Sequence, residues 1–353
     1  MTLTERKEAF VVLGQFMGQF AHETPTPSPE VPKNDMFFDG MLHQLKLAQE
    51  ANTWFTKGNL AFTFKNWAEA LSIDSINHWL DRYTVPNDCS HKQVAIVMAG
   101  NIPLVGFHDL LSVLLSGHRV LVKNASKDKH LLPWLAKYLE VVQPEFKGRI
   151  TFTDEKPESF DAIIATGSGN TARYFEYYFG KYPHIIRKNR NSVAVLTGNE
   201  SEEQLAALGE DIFRYFGLGC RNVSKLFVPK DYDFDLLFKA VYDWGHLMEN
   251  KKYMNNYDYN KAVYMMSLFP ITENGFLMLR EEQSYASPIA TLFYEYYEDI
   301  SQIKERLHRD EAQVQCIVAD GFLADEVAFG QTQSPKLWDY ADQVDTMEFL
   351  LKI

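Results

Sequence analysis

One cysteine in this chain has surroundings that suit covalent chemistry. Cys220 follows two glycines, Gly217 and Gly219, and precedes an apparent strand in the segment FGLGCRNVSKLFVP, residues 216–229. Most free cysteines are buried side chains without a chemical role. A loop position, with the cations Arg221 and Lys225 close in sequence, would instead favour the thiolate, which is the nucleophilic form. On the residues alone, a reactive thiol and a buried side chain both remain open.

Two further segments place polar groups where open α/β sheets build their sites. ATGSGNTA, residues 165–172, follows an apolar run and matches G-x-G-x-x-A, a turn whose backbone N–H groups attract phosphate. The acidic ribose-binding residue expected about 20 residues later is missing, since IIRKNRNSVAVL offers only bases. In AGNIPL, residues 99–104, Asn101 can donate to an oxyanion. A plain strand-to-helix turn and an asparagine that caps a turn are the alternatives.

The strands and helices that must position these residues follow a regular alternation. From residue 92 to residue 198, short runs rich in Val and Ile alternate with helical patterns. Fully apolar runs of this length suit parallel strands buried on both faces, and their alternation with helices predicts a doubly wound α/β domain. Strands are expected in KQVAIVMAG, HRVLVKNAS, RITFTD, FDAIIATGS and NSVAVLTG, and helices in IPLVGFHDLLSVLLSG, LLPWLAKYLEVVQP and TARYFEYYFGKY.

The segment before Cys220 predicts one long helix. In SEEQLAALGEDIFRYFGLG, Ser201 is the N-cap, Gln204 takes the capping-box position and Gly217 is the C-terminal stop. Cys220 is therefore expected just past a helix end. Beyond it, KAVYMMSLF, FLMLREE, IATLFYEYY and AQVQCIVAD predict a second α/β unit, with the aromatic-rich KKYMNNYDYNK lying between elements.

The two ends of the chain differ from this pattern. ETPTPSPEVPK holds four prolines and predicts an extended surface arm, whereas MFFDGMLHQLKLAQEANTWFT and NWAEALSIDSINHWLDRY predict two covering helices. At the C-terminus, MEFLLKI is expected to form an edge strand that serves oligomerisation. The predicted division is 1–215 for the arm, the N-terminal helices and the cofactor domain, 216–340 for the catalytic domain, and 341–353 for the tail.

The composition of the chain argues against several classes of function. A chain of 353 residues that is 46% hydrophobic can bury a large core, and its formal charge of −12 argues against nucleic acid as a partner. The three cysteines are widely spaced without a C-x-x-C pair, which predicts free thiols and no metal site. Charges in MTLTERKEAF indicate no export signal, so a cytoplasmic location is expected. Asn101, Pro103, His108 and Asp109 interrupt the most apolar stretch, 94–117, which predicts no membrane span.

The order of the motifs resembles that of the aldehyde dehydrogenase superfamily. GNIPL, VLVKNAS, ATGSGNT, GLGCRNVSKLFVP and REEQSYASPIATLFYEYYEDISQIKERL follow one another over roughly residues 94–307. That superfamily has an Asn-x-Pro segment, a strand ending in Lys-Pro-Ser, a Gly-Ser turn, a G-x-x-C nucleophile, and a Glu-Glu stretch before Gly-Pro. The short length, the proline-rich arm, the cysteine segment and KYMNNYDYNK look most like acyl-CoA reductases of the LuxC type. The resemblance implies two doubly wound α/β domains: a Rossmann-like cofactor domain and a catalytic domain.

Matched motif by motif, the resemblance also implies a chemistry. Cys220 would accept the acyl group of a thioester, and Asn101 would donate to the oxyanion beside the Cys220 backbone N–H. Where oxidising members carry a water-activating glutamate, this chain reads IRKNRNS, with Arg187 or a neighbour at that position. Without a base, hydrolysis of the acyl-enzyme should be slower by about 10²–10⁴-fold, which leaves the intermediate for hydride. The implied activity is formation of an aldehyde from an acyl-CoA or acyl-protein thioester.

The implied cofactor is a nicotinamide dinucleotide. The resemblance assigns its ribose, phosphate and nicotinamide contacts to Lys123, Gly167, Ser168 and Glu282. Oxidising members that prefer NAD often carry a glutamate three residues after the lysine, where this chain has Ser126 followed by Lys127. Loss of a carboxylate and gain of a cation favour NADPH, with NADH as the alternative. Superfamily members commonly form homo-oligomers, and the same is expected here.

Several alternatives stay open at this stage. The chain could be an NAD(P)-dependent aldehyde dehydrogenase, a cysteine hydrolase or acyltransferase without a nicotinamide, or an inactive relative that acts as a scaffold. His184 and His246 are candidate proton donors, although an ordinary surface or core histidine is the simpler explanation of each. The tyrosines of KKYMNNYDYNK could line an acyl or adenine pocket or form ordinary core.

Overall fold

A computed structural model describes residues 1–87, 91–167 and 169–353. The chain divides into two compact units, Met1–Lys188 with Lys336–Ile353, and Asn189–Pro335. The division falls between Lys188 and Asn189, whereas the sequence placed it near residue 216. The difference arises because the strand NSVAV reads like the strands before it but pairs within the second unit's sheet. Within the described residues, no helix is long and apolar enough to cross a membrane.

The first unit is built on a parallel sheet of five strands. In chain order they are β1 (Gln93–Val97), β2 (Arg119–Lys123), β3 (Ile150–Thr153), β4 (Ala162–Thr166) and β5 (His184–Arg187). Their order across the sheet is β3-β2-β1-β4-β5, so the direction of winding reverses between β1 and β4. Four of these strands were predicted. β5 was not, because its short HIIR core is followed by basic residues that mask the apolar pattern.

Helices cover this sheet and form much of the core of the first unit. They are α1 (Leu3–Gly18), α2 (Asn34–Ala51), α3 (Lys57–Ala70), α4 (Ile73–Leu80), α5 (Phe107–Leu115), α6 (Leu131–Val142) and α7 (Gly169–Phe179). Residues 23–33 contain neither helix nor strand, as the four prolines predict. The predicted second covering helix is instead two, α3 and α4, because Ser72 caps a new helix through the Ser75 N–H. The predicted covering role is confirmed: the ring centroids of Phe37 in α2 and Tyr138 in α6 lie 5.2 Å apart, and those of Trp67 in α3 and Phe107 in α5 lie 4.6 Å apart.

The second unit holds a sheet of six strands in the order β11-β6-β7-β10-β9-β8. The strands are β6 (Asn191–Val195), β7 (Val223–Pro229), β8 (Thr272–Glu273), β9 (Met278–Glu281), β10 (Thr291–Tyr297) and β11 (Val314–Val318). All pairs are parallel except β8 with β9. Its helices are α8 (Glu202–Phe213), α9 (Phe234–Ala240), α10 (Lys251–Met266) and α11 (Ile300–Arg309). FLMLREE, IATLFYEYY and AQVQCIVAD, which the sequence assigned to a second α/β unit, contain β9, β10 and β11.

The prediction for KKYMNNYDYNK was wrong, because this segment and the following AVYMM form the helix α10 rather than a connection between elements. The side chain of Asn250 caps the helix by accepting from the N–H groups of Lys252 and Tyr253. Tyr253, Tyr257 and Tyr264 are buried on one face at helical spacing. These three tyrosines therefore contribute to the core, whereas Tyr259 is exposed. KAVYMMSLF, which the sequence assigned to a second α/β unit, begins within this helix.

The helix before Cys220 is shorter than predicted. Ser201 and Gln204 form the expected capping box, but α8 ends at Phe213 rather than at Gly217. A short 3₁₀ turn follows, in which Tyr215 and Phe216 take left-handed conformations with φ of 54° and 60°. Burial of both aromatic rings stabilises a backbone that non-glycine residues seldom adopt.

The expected edge strand at the C-terminus was also wrong. MEFLLKI belongs to the helix α12 (Thr346–Lys352), which Asp345 caps by accepting from the Glu348 N–H. Met347 and Leu350 are buried in the core of the first unit. Their spacing is that of one helix face, which a segment of seven residues does not distinguish from a strand by pattern alone.

Candidate active site

Cys220 lies on a tight turn between α8 and β7. The Asn222 N–H donates to the Gly219 carbonyl at 3.1 Å, which closes a turn with Cys220 and Arg221 at its two central positions. The Asn222 side-chain oxygen accepts from the Gly219 N–H at 2.8 Å and closes the turn a second time. Cys220 is exposed, so the interpretation as a buried side chain does not hold.

Asn222 ties this turn to the open end of α8. Its buried side-chain amide donates to three backbone carbonyls, those of Asp211 at 3.0 Å, Ile212 at 3.3 Å and Arg214 at 2.9 Å. The last carbonyls of a helix have no partner inside the helix, and these bonds supply one. The turn is therefore held to a packed helix end rather than to solvent. Asn222 was not predicted as a site residue, because nothing in the local sequence GCRNVS marks it as an asparagine that caps a helix end.

Ser192 at the start of β6 holds the turn from another side. Its hydroxyl donates to the Cys220 carbonyl at 3.0 Å and accepts from the Cys316 N–H at 3.1 Å. Arg221 donates to the Cys316 sulfur at 3.2 Å. The backbone of Cys220 is thus fixed by buried groups while its thiol stays exposed, an arrangement that suits a nucleophile with a defined direction of attack.

Lys225 does not present a free charge to the thiol. The lysine is fully buried, and its ammonium donates to the Glu282 carbonyl and, at 2.6 Å, to the Glu295 carboxylate. Arg306 donates to the same carboxylate at 2.6 Å. Burial lowers the pKa of Lys225, while the bond to Glu295 opposes that shift. The role inferred from sequence, a nearby cation that favours the thiolate, is corrected to an internal ion pair that fixes the Glu282 backbone.

Glu282, the predicted nicotinamide-ribose ligand, directly follows β9. Its carboxylate accepts from Arg280 at 2.8 Å and from the Gln283 N–H at 2.8 Å. The side chain is only partly buried. These bonds fix the carboxylate near the end of a strand, where it can accept hydrogen bonds from hydroxyl groups.

In the first unit, the other predicted site residues gather at the carboxyl edge of the sheet. Val97 pairs with both Lys123 and Ala165. The segments that carry Asn101, Ser126 and Gly167 therefore follow strand ends that lie side by side at the same edge of the sheet. Lys123 donates to the Asp154 carbonyl at 3.2 Å, and Ser126 is exposed. This edge at the reversal between β1 and β4 is where open α/β sheets bind ligands.

Gly167 follows β4 in a turn without room for a side chain. An added Cβ would lie 2.8 Å from the Thr171 methyl carbon. The Gly167 N–H donates to the Arg187 carbonyl at 3.3 Å. The turn therefore packs closely against the first part of α7, as a phosphate-binding turn does. Ser168, predicted as its neighbour in cofactor binding, lies outside the described residues.

Arg187, which the resemblance offers, with its neighbours, as the replacement of the water-activating base, belongs to a buried ion pair. Its guanidinium donates to Asp109 of α5 at 2.5 Å and to the hydroxyl of Thr346 at 3.0 Å. Arg187 and Asp109 are both buried. An arginine carries only donors and keeps its proton in proteins, so this side chain cannot accept a proton from water.

The two candidate proton donors are surface histidines. His184 is exposed and its Nδ1 lies 2.8 Å from the Tyr182 carbonyl. His246 is exposed and its Nδ1 lies 2.7 Å from the Asp243 carbonyl. Local backbone contacts therefore account for the orientation of both rings.

The buried carboxylate of Asp128, which contacts the segment that carries Asn101, was not predicted from sequence. Asp128 accepts the Leu104 N–H at 2.9 Å and is buried in the first unit. Burial raises the pKa of Asp128 to about 6, and the bond from Leu104 partly opposes the shift. No pattern in NASKDKH distinguishes this aspartate from a solvated one.

The Asp128 carboxyl should make the fold less stable as the pH rises from about 4 to about 6. Because the folded state holds the proton more tightly than the unfolded chain, ionisation costs roughly 3 kcal/mol by about pH 7. In Asp128→Asn, which keeps an acceptor for Leu104, this loss should disappear. Urea unfolding of both proteins at pH 4, 5, 6 and 7 measures the difference, and parallel pH profiles would contradict the expectation.

No family model matches the chain, and no curated protein matches it. Solved structures do match. Indole-3-acetaldehyde dehydrogenase of P. syringae, solved with NAD⁺, has a TM-score of 0.65 at 13% identity over 90% of this chain and 72% of that one. Aldehyde dehydrogenase 21 of Physcomitrella patens gives 0.66 at 12% identity over 100% and 84%. The NAD-dependent benzaldehyde dehydrogenase of Corynebacterium glutamicum gives 0.62 at 10% identity over 90% and 76%. The two-unit α/β architecture predicted from the motif order is confirmed, and the chain has the fold of the aldehyde dehydrogenases.

Proposed function

We propose that this protein is an acyl-thioester reductase that forms an aldehyde through an acyl group bound to Cys220. The observation that carries the proposal is an exposed thiol on a turn anchored by Asn222 and Ser192, in a chain with an aldehyde dehydrogenase fold. The ion pair of Arg187 supports the choice of reduction over oxidation to an acid.

The residues of the chain account for acyl transfer. The Cys220 thiolate attacks the thioester carbonyl carbon, a new carbon–sulfur bond forms, and the bond to the departing thiol breaks. The Cys220 backbone N–H and the Asn101 amide are the proposed donors to the oxyanion. The leaving thiolate takes a proton from solvent. Since Arg187 cannot activate water, the Cys220 thioester should be long-lived.

Three features of the first unit fit a nicotinamide dinucleotide. The strand order of this unit reverses between β1 and β4, Gly167 leaves no room for a side chain, and Lys123 is the last residue of β2. A reduced nicotinamide, when bound, would supply the hydride that converts the acyl group into an aldehyde. Lys123 is the proposed ligand of the ribose or adenosine phosphate, and Glu282 of the nicotinamide ribose.

Oxidation of aldehydes is the second candidate function. The solved structures with this fold are named as dehydrogenases of aldehydes, and several of them contain NAD⁺. Release of a free acid requires hydrolysis of the Cys220 thioester, for which Arg187 offers no base. Steady-state assays separate the two functions, because rapid oxidation of an aldehyde to free acid without CoA would favour the dehydrogenase.

The proposal is tested by mass spectrometry of the intact protein. Incubation with hexadecanoyl-CoA and no reductant should add one hexadecanoyl group, located on Cys220 after digestion. Addition of NADPH should remove the adduct and release hexadecanal. A protein that gains no adduct, or one whose adduct is lost only by hydrolysis, would exclude the reductase.

Preference for NADPH rests on Ser126 and Lys127, which are both exposed beyond β2. In Ser126→Glu, a carboxylate would face the 2′-phosphate, and the Kd for NADPH should rise by about 10-fold or more while that for NADH changes little. Ser126→Gln is the neutral control of the same size. Fluorescence titration with each cofactor measures the effect, and equal weakening by both variants would indicate steric exclusion rather than charge.

A further inference from the structure

The segment that carries Asn101 is tied at both ends by buried side chains. At its start, Asn52 donates to the Gly100 carbonyl at 3.3 Å. At its end, Asp128 accepts from the Leu104 N–H at 2.9 Å. Asn52 and Asp128 are both buried. The conformation of residues 100–104 is therefore imposed by tertiary contacts as well as by its own sequence.

This conformation is one that the residues would seldom adopt alone. Leu104 has a φ of 56°, in the left-handed region that costs a side chain such as leucine about 1–2 kcal/mol. Gly100 approaches the next loop so closely that an added Cβ would lie 2.6 Å from the Ala125 Cβ. The bond from Leu104 to Asp128 offsets part of this cost. Without it, the segment has a lower-energy backbone available.

The buried carboxylate of Asp128 lowers the stability of the fold. One buried oxygen of Asp128 bonds Leu104, while the other, Oδ1, has no hydrogen-bond partner among the described residues. Burial raises the pKa of Asp128 to about 6, so the carboxylate that predominates at pH 7 is less stable in the fold than it would be in water. A group that lowers stability is more readily explained by a functional role than by folding.

Asp128 also belongs to the loop that follows β2. Lys123 ends that strand and Ser126 lies on the same loop, which is closed by the bond from the Asp128 N–H to the Ala125 carbonyl at 3.0 Å. One side chain thus connects the segment of the proposed oxyanion donor to the loop of the proposed cofactor ligands.

From these contacts we propose that Asp128 is a positioning residue, which holds residues 100–104 in the conformation that directs the Asn101 amide to the acyl oxygen. The proposal rests on the proposed function, since it assigns Asp128 an effect on transfer of the acyl group to Cys220. Asp128 acts through Asn101 and needs no contact with the substrate itself.

The test is the single-turnover rate of Cys220 acylation by hexadecanoyl-CoA without reductant. Asp128→Ala should lower the rate constant by about 10- to 100-fold, with half-saturation unchanged within about 2-fold. Asp128→Asn keeps an acceptor for Leu104 and should stay within about 3-fold of the wild type. Ser116→Ala is the matched control, because it removes another buried hydrogen bond of the first unit, from the Ser116 hydroxyl to the Val113 carbonyl at 2.9 Å.

A double-mutant cycle with Asn101 separates positioning from a general loss of structure. In the Asn101→Ala background, Asp128→Ala should cause no further loss of rate. Alkylation of Cys220 by iodoacetamide, which needs no oxyanion donor, should proceed at the wild-type rate in Asp128→Ala, and continued protection of the buried Cys316 from alkylation shows that the variant is folded. If that variant unfolds, Asp128→Ser, whose hydroxyl is too short to reach Leu104, takes its place.

The outcomes are distinguishable. A wild-type protein that is not acylated would overturn the proposed function and this inference with it. Acylation at the wild-type rate in Asp128→Ala, equal slowing by the Asn and Ala variants, slowing by Ser116→Ala to the same extent, or additive losses in the cycle would each overturn the inference alone.

Discussion

Replacement of Cys220 by alanine should abolish formation of the acyl adduct and reduce aldehyde production by about 10³-fold or more, since no other group would form the covalent intermediate. The fold should be unaffected, because the side chain is exposed. Stopped-flow release of CoA and intact-mass analysis measure the two losses. Cys89→Ser is the matched control, since it removes a different thiol from the chain and should leave the adduct in place.

The Cys220→Ser variant tests whether the reaction needs a thiol or only a side chain that can form an ester. A serine hydroxyl needs a general base before it attacks a thioester, whereas a thiol is a useful nucleophile with little help near neutral pH. Arg187 supplies no such base. The serine variant should therefore be nearly as inactive as the alanine variant. An active serine variant would reveal a base that the proposed mechanism lacks.

The strands were predictable from sequence because their signal is local. β1 and β4 are largely apolar runs followed by segments that contain glycine, and a pattern of this kind predicts strands that are buried on both faces and paired in parallel. The division between units was not predictable in the same way. β6 has the same local pattern as β1, and only its pairing with β7 and β11 assigns it to the other sheet.

Helix and strand were confused where short apolar patterns fit both. MEFLLKI became α12 because Met347 and Leu350 pack against the first unit's core, a tertiary contact that no window of seven residues contains. α8 ends early for a similar reason. Burial of Tyr215 and Phe216 stabilises left-handed backbone at two residues that local propensity would keep in the helix.

For the candidate site, the sequence pointed to the groups proposed to carry chemistry but not to the groups that fix their conformation. Cys220 and Asn101 stand out by residue type beside glycine and proline. Asn222 and Asp128 have ordinary local surroundings, and their importance arises from partners distant in sequence, such as the carbonyl of Asp211 and the N–H of Leu104. Such contacts depend on the fold, which a single sequence does not specify residue by residue.

Arg187→Ala should destabilise the protein by about 3–5 kcal/mol, because it leaves the buried Asp109 carboxylate without its ion-pair partner. Arg187→Glu should be worse, since it would place two carboxylates together in the core. Chemical unfolding at neutral pH measures both. A carboxylate at position 187 is therefore not expected to yield a folded hydrolase.

The double variant Asp109→Leu with Arg187→Met separates stability from chemistry. Two apolar side chains of similar size can replace a buried ion pair with little loss, so the double variant should recover most of the stability that Arg187→Ala loses. Its Cys220 adduct should still resist water, because methionine, like arginine, cannot accept a proton from water. A stable double variant whose adduct hydrolyses rapidly would show that the charge of Arg187, rather than the absence of a base at its position, protects the thioester.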